Sequence, residues 1–156
     1  MENTNKFKKQ GRVRELKGTI LEPENAGLRF ILSINNLEGK SENPLLPIFD
    51  KKWRQVRTES RGWYATKTGA YKLGAINTTA VQSDTWVIHM LCQDEKLVTS
   101  VKGLEDCLKK VCASAKYEQA SIHVSNILTD LIPELKPLII KHLVEEGVNV
   151  NFYKEQ

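Results

Sequence analysis

Trp86-Val87-Ile88-His89-Met90-Leu91 is a run of six residues without a formal charge, and its reading decides the fold class. Polar and apolar residues do not alternate in it, so a strand made from it needs cover on both faces, as in the middle of a sheet. Just upstream, residues 74–82 contain Ile76, Thr78, Thr79 and Val81, a second strand-forming run. The polar pair Ser83-Asp84 separates it from residues 85–93 and predicts a β-hairpin. Residues 28–34, Leu-Arg-Phe-Ile-Leu-Ser-Ile, form another apolar run that stops at Asn35-Asn36, as a buried strand does on entering a loop.

Between and beyond these strands the period changes. Val101, Leu104, Leu108, Val111 and Ala115 recur three and four residues apart, which predicts an amphipathic helix over residues 101–117. Phe49, Trp53 and Val56 predict a single helix over residues 48–57, and residues 62–74 read as a partly buried connecting segment. Leu135, Leu138 and Leu143 predict a last helix over residues 134–146, with Pro133 in its first turn and Gly147 at its end. Residues 121–124 and 148–153 complete the pattern as short strands. Strands alternating with helices imply crossover connections and parallel neighbours, while the hairpin adds an antiparallel pair. The expected fold is therefore α/β, a three-layer α/β/α sandwich with a mixed central sheet.

Composition sets the outer bounds. The chain has 156 residues, 40% hydrophobic and 27% charged, which excludes disorder throughout and suits one compact domain. Residues 12–156 are assigned to that domain and residues 1–11 to a flexible basic arm. No stretch approaches the roughly 20 apolar residues of a spanning helix, so a soluble cytoplasmic protein without a membrane partner is expected. Cys92, Cys107 and Cys112 make an odd set without paired spacing, which indicates neither a disulfide framework nor a zinc site. Residues 1–72 hold 15 Lys+Arg against 8 Asp+Glu, and residues 73–156 hold 8 against 11. A basic first half suits an anionic partner or a solvated surface equally.

The sequence lacks the glycine-rich dinucleotide fingerprint, the phosphate loop, the paired-histidine zinc helix and the serine nucleophile elbow. His89 and His123 fall inside apolar strands and read as core histidines, whereas His142 reads as surface. What remains are loops following predicted strands: Gly18-Thr19, the stretch from Asn35-Asn36 through Gly39 to Lys40-Ser41, and Ser125-Asn126 through Thr129-Asp130. If the strands are parallel these loops meet at one edge, where backbone N–H groups and short polar side chains can cradle a phosphate or ribose.

The order and spacing of Leu16-Lys17-Gly18-Thr19-Ile20, Ile34-Asn35-Asn36, Ile48-Phe49-Asp50, Lys72-Leu73-Gly74-Ala75-Ile76, Trp86 to Gln93, Ser121-Ile122-His123-Val124 and Val148 to Tyr153 resemble a macro domain. The resemblance is to the class that includes the terminal ADP-ribose protein glycohydrolase and small phage and yeast relatives. It implies a cleft for ADP-ribose across strand ends. By the same resemblance, an acidic residue after the first strand reads adenine, two glycine-rich loops hold the phosphates, Asn35 or Asn36 serves the distal ribose, and Phe152 or Tyr153 flanks the base. Thr19 stands where the acid belongs. The first glycine-rich loop is replaced by Leu37-Glu38-Gly39-Lys40-Ser41-Glu42-Asn43-Pro44, and the second by Ser125-Asn126-Ile127-Leu128-Thr129-Asp130-Leu131, which has no glycine. The catalytic Lys and Asp of the glycohydrolase class fall near Val81 and Ile132, with Asp130 close by. The combined expectation is a non-catalytic module binding ADP-ribose, a related nucleotide or another small anion, with no cofactor. One alternative is an ADP-ribosyl hydrolase working through Asp130 or His89. Another is a protein or nucleic-acid interaction module using Lys51, Lys52, Arg54, Arg57 and Arg61.

Overall fold

The computed structural model describes residues 9–39, 43–67 and 71–155. In chain order the elements are β1 (Val13–Lys17), β2 (Arg29–Asn36), α1 (Leu46–Asp50), α2 (Gln55–Thr66), β3 (Ile76–Gln82), β4 (Thr85–Gln93), α3 (Val101–Glu118), β5 (Ser121–Ser125), α4 (Asn126–Leu131), α5 (Leu135–Ile139, continued by a π turn over Ile140–Val144) and β6 (Val150–Lys154). Six strands form one sheet in the order β1-β6-β5-β2-β4-β3. The first five are mutually parallel and β3 pairs with β4 antiparallel, so the sheet is mixed and the hairpin is present. Helices pack against it in a three-layer α/β/α arrangement.

The core follows from the two uncharged runs. β2 and β4 lie side by side with Phe30 opposite Trp86 and Ile34 opposite Met90, and nearly every residue of both strands is buried. The Phe30 and Trp86 rings stack with centroids 5.4 Å apart. α3 lays Leu104, Cys107, Leu108, Val111, Cys112 and Ala115 against this layer, and Ser100 caps its start by accepting the Gly103 N–H at 3.0 Å. Cys107 and Cys112 are buried there as small apolar side chains, and burial pushes the Cys107 thiol up to about 12.

Four local expectations are corrected. The helix expected over residues 48–57 is two helices, with the chain turning through residues 51–54. Arg57 reaches back across the bend to hold Asp50, its Nε donating to Oδ1 at 3.3 Å and Oδ2 at 3.1 Å and its Nη2 to Oδ2 at 2.8 Å. α2 then runs through Gly62 to Thr66, so the segment expected to connect begins as helix. Val56 and Trp63, seven residues apart, share its buried face, while Gly62 is exposed and costs only about 1 kcal/mol there. The last helix starts at Leu135 with Pro137, not Pro133, in its first turn, where a missing N–H removes no intrahelical bond. His142, expected at the surface, has a side chain 11% exposed, with Nε2 2.8 Å from Glu105 Oε2.

Gly11 makes a close approach to the segment after the last helix. Gly11 donates its N–H to Val144 O at 2.8 Å, and a Cβ on Gly11 would meet the Val148 carbonyl oxygen at 1.9 Å. The chain is thus fastened from Gly11 onward; residues 1–8 of the expected arm lie outside the described residues.

Candidate functional site: a cleft at the strand ends

Parallel pairing of β1, β6, β5, β2 and β4 brings their carboxyl ends to one edge of the sheet, the usual ligand edge of open α/β folds. A cavity of about 370 Å³ opens there, lined by Gly18, Thr19, Leu21, Ile48, Lys51, Ile127 and Glu155. Its walls are apolar at Leu21, Ile48 and Ile127, and its charged groups are one ammonium, Lys51, and one carboxylate, Glu155.

The loop after β1 is shaped by short bonds. Gly18, at φ +151°, donates to Lys154 O at 3.1 Å and extends the β1–β6 pairing by one step. Thr19 Oγ1 accepts the Leu21 N–H at 3.1 Å, and Thr19 O accepts that of Glu22. The Ile20 N–H is taken by Glu155 Oε2 at 2.8 Å. A carboxylate thus reaches the position beside Thr19 from the far end of the chain. Glu155 is in turn held by its own N–H, which donates to Asn126 Oδ1 at 3.0 Å.

At the end of β5, Ser125 is fully buried and its Oγ caps α4 by accepting the Ile127 N–H at 3.1 Å. Thr129 Oγ1 donates to Asn126 O at 3.2 Å. Asp130 is exposed and is not part of the cavity lining.

At the end of β2 the polar groups are already occupied. Asn35 Oδ1 accepts from Ser60 Oγ at 3.0 Å, and its Nδ2 donates to the Tyr71 hydroxyl at 3.4 Å. That hydroxyl donates to Asn36 O at 2.6 Å. Gly39 turns with φ +67°, and a Cβ there would lie 2.3 Å from the Tyr64 ring. Lys67 Nζ stands 3.6 Å above the centroid of that ring. Asn43, not singled out in the sequence, anchors the start of α1: its Nδ2 donates to Ser33 Oγ and Ile34 O, and its Oδ1 accepts the Leu45 N–H. Lys40 and Ser41 lie outside the described residues.

The remaining candidates divide between core and surface. Phe152 is 5% exposed and Tyr153 2%. The Tyr153 oxygen accepts the Glu24 N–H at 2.9 Å and stands 2.8 Å from His123 Nδ1, while His123 Nε2 is 2.7 Å from Ser121 Oγ. His89 Nε2 lies 2.8 Å from Thr79 Oγ1. Burial holds both rings neutral, lowering His89 to about 4 and His123 to about 3. Among the five basic candidates on α1, α2 and the bend, Lys52 is tied to Leu21 O at 2.8 Å and Glu22 at 2.9 Å, and Arg57 to Asp50. Lys51, Arg54 and Arg61 are exposed.

Solved structures match this architecture along almost its whole length. A macrodomain protein from Streptomyces coelicolor superposes with a TM-score of 0.83 over 92% of this chain and 99% of that one, at 22% identity. The fold is that of a macrodomain. The macrodomain of DarG from Thermus aquaticus matches with a TM-score of 0.70 at 17% identity, over 92% of this chain and 99% of that one. DarTG from Thermosipho africanus, solved in complex with ADP-ribose, matches 81% of this chain with 38% of its own, at a TM-score of 0.64 and 17% identity. No family model matches the chain, and no curated protein matches it in sequence. In this fold the hollow bounded by Gly18, Ile48 and Ile127 lies at the carboxyl ends of the parallel strands.

Proposed function

We propose that this chain is a binding module for ADP-ribose or a related nucleotide, held in the strand-end cleft without turnover. The observation that carries the reading is the cleft itself: an opening at the carboxyl ends of parallel strands, with three aliphatic walls suited to a flat base and Lys51 placed for an anion. The presence of ADP-ribose in a structural neighbour supports the same ligand class. At about 370 Å³ the cavity lies at the small end of the range for ligand pockets, and with Asn35 engaged by Ser60 and Tyr71 the reading favours the nucleotide end of the ligand.

The non-catalytic part rests on the titratable groups. Lys51 and Glu155 are the charged residues of the lining, and Glu155 is spent on the Ile20 N–H. A hydrolase working through Asp130 or His89 is not favoured, since neither lines the cleft and His89 is buried in the sheet.

Calorimetry with ADP-ribose, AMP, NAD and cyclic nucleotides tests the assignment. Binding is expected for at least one adenine nucleotide and should weaken roughly tenfold in Lys51→Glu, the size of one lost charged contact. Absence of heat with all four ligands overturns the binding reading. Release of ADP-ribose from a modified protein by the wild-type chain overturns its non-catalytic part.

A further inference from the structure

A second hollow lies across a thin seam from the cleft, and nothing in the proposed function uses it. Its volume is about 320 Å³, and it runs between the edge strand β1, its neighbour β6 and the helices α4 and α5. The seam is made of consecutive residues: Lys17, Asn126 and Lys154 line the second hollow, while Gly18, Ile127 and Glu155 line the cleft.

Strand register explains its charge. Glu15 pairs with Phe152 and Lys17 with Lys154 across the parallel β1–β6 ladder, so these four side chains share one face of the sheet. Lys136, from α5, reaches down onto that face: its Nζ lies 4.7 Å from the centroid of the Phe152 ring and 2.5 Å from Glu15 Oε2. Glu15 therefore neutralises Lys136. Lys17 and Lys154 have no carboxylate partner among the described residues, although they occupy directly paired positions on neighbouring strands. Like charges placed opposite one another destabilise a sheet, and a bound anion converts that repulsion into attraction for both. Phe152, 5% exposed beneath the Lys136 ammonium, lies at the floor of the hollow, and Thr129 and Asn126 add polar edges on the α4 side.

We propose that this hollow is a second ligand site, distinct from the strand-end cleft, for a small phosphate monoester carried on an aromatic or apolar body. The phosphate is held by Lys17 and Lys154, and the body lies toward Phe152.

The test uses phenyl phosphate as probe, with inorganic phosphate and phenol as its two halves, followed by calorimetry and by NMR of the full chain. Phenyl phosphate should bind more tightly than either half and should shift the resonances of Phe152 and Thr129. Lys17→Ser/Lys154→Ser should weaken it roughly tenfold or more, as loss of two charged contacts requires, while a charge-matched Lys96→Ser/Lys109→Ser variant leaves it unchanged. The first variant removes a like-charge pair, so its thermal midpoint should hold or rise, which separates a binding loss from a folding loss. Equal weakening in both variants reduces the effect to net charge and overturns the site. So do shifts confined to Ile48 and Ile127, which would place the probe in the cleft, and so does absence of binding.

Discussion

Glu155 Oε2 accepts the backbone N–H of Ile20 at 2.8 Å, joining positions separated by 135 residues. The bond closes the loop that follows β1 against the chain that follows β6. It also satisfies the N–H of Ile20, a fully buried residue between two that line the cleft. Glu155→Ala should cost about 1 kcal/mol in urea denaturation, within the ordinary range for one such bond. Glu155→Gln, whose amide oxygen can still accept, should cost less. An alanine variant as stable as wild type would show that the contact does not hold the loop.

Tyr153 is the hub of a buried network. Its oxygen serves the Glu24 N–H, His123 Nδ1 at 2.8 Å and Asn151 Nδ2 at 3.3 Å. Tyr153→Phe keeps the ring and strands those groups, so a loss of about 1–3 kcal/mol is expected, the cost of leaving buried polar groups unpaired. Faster amide exchange at Glu24 should accompany it. Unchanged stability and unchanged exchange would remove the network from the account of the fold.

The two buried histidines predict acid sensitivity. Burial lowers His89 to about 4 and His123 to about 3 from an ordinary 6.5, so the unfolded chain takes up these protons first. Their contribution is complete above pH 6.5 and is lost progressively as pH falls from there toward 4 and 3. The slope reaches about 1.4 kcal/mol per pH unit for each ring. Urea midpoints between pH 7 and 4.5 should fall accordingly, and His123→Gln should flatten the profile by about one proton's share. A flat wild-type profile over that interval is the contrary result.

Gly39 and Tyr64 predict a coupled pair. Alanine at position 39 faces both a left-handed backbone, φ +67°, and an aromatic ring 2.3 Å from its Cβ. Gly39→Ala should destabilise by about 1–3 kcal/mol. In a Tyr64→Ala background the steric part of that loss should disappear, leaving the backbone part; full additivity in the double-mutant cycle would contradict the contact.

The fold was legible where burial dictates sequence. Strands β2 and β4 need cover on both faces and so cannot carry charge in their central runs, and the stripe of α3 repeats because one face of it must meet the sheet. The bend between α1 and α2 was not legible, because the Arg57–Asp50 clamp that spans it joins side chains seven residues apart and leaves the spacing of Phe49, Trp53 and Val56 intact. The candidate site divides in the same way. Gly18 and Thr19 follow a strand, and strand ends mark such an edge in the sequence. Glu155, Ile48 and Lys51 reach the cleft through tertiary packing, and the only trace of Glu155 in the sequence is its place just after the closing strand. The resemblance directs attention to an acid at Thr19, and no local pattern says that a carboxylate arrives there from the other end of the chain.

The position of β6 between β1 and β5 has a consequence for how the protein is made. β1 leaves the ribosome well before its sheet partner, which lies 137 residues later, with Val13 paired to Val150. Until β6 emerges, β1 lacks its sheet neighbour, and the loop carrying Thr19 lacks Lys154 O and Glu155, which accept the N–H groups of Gly18 and Ile20. The strand-end cleft is therefore completed by the long-range docking of β1 against β6, and this step should be the slow one in folding. A protease that trims the residues after Gly147 would remove β1 from the sheet as effectively as a cut at Val13.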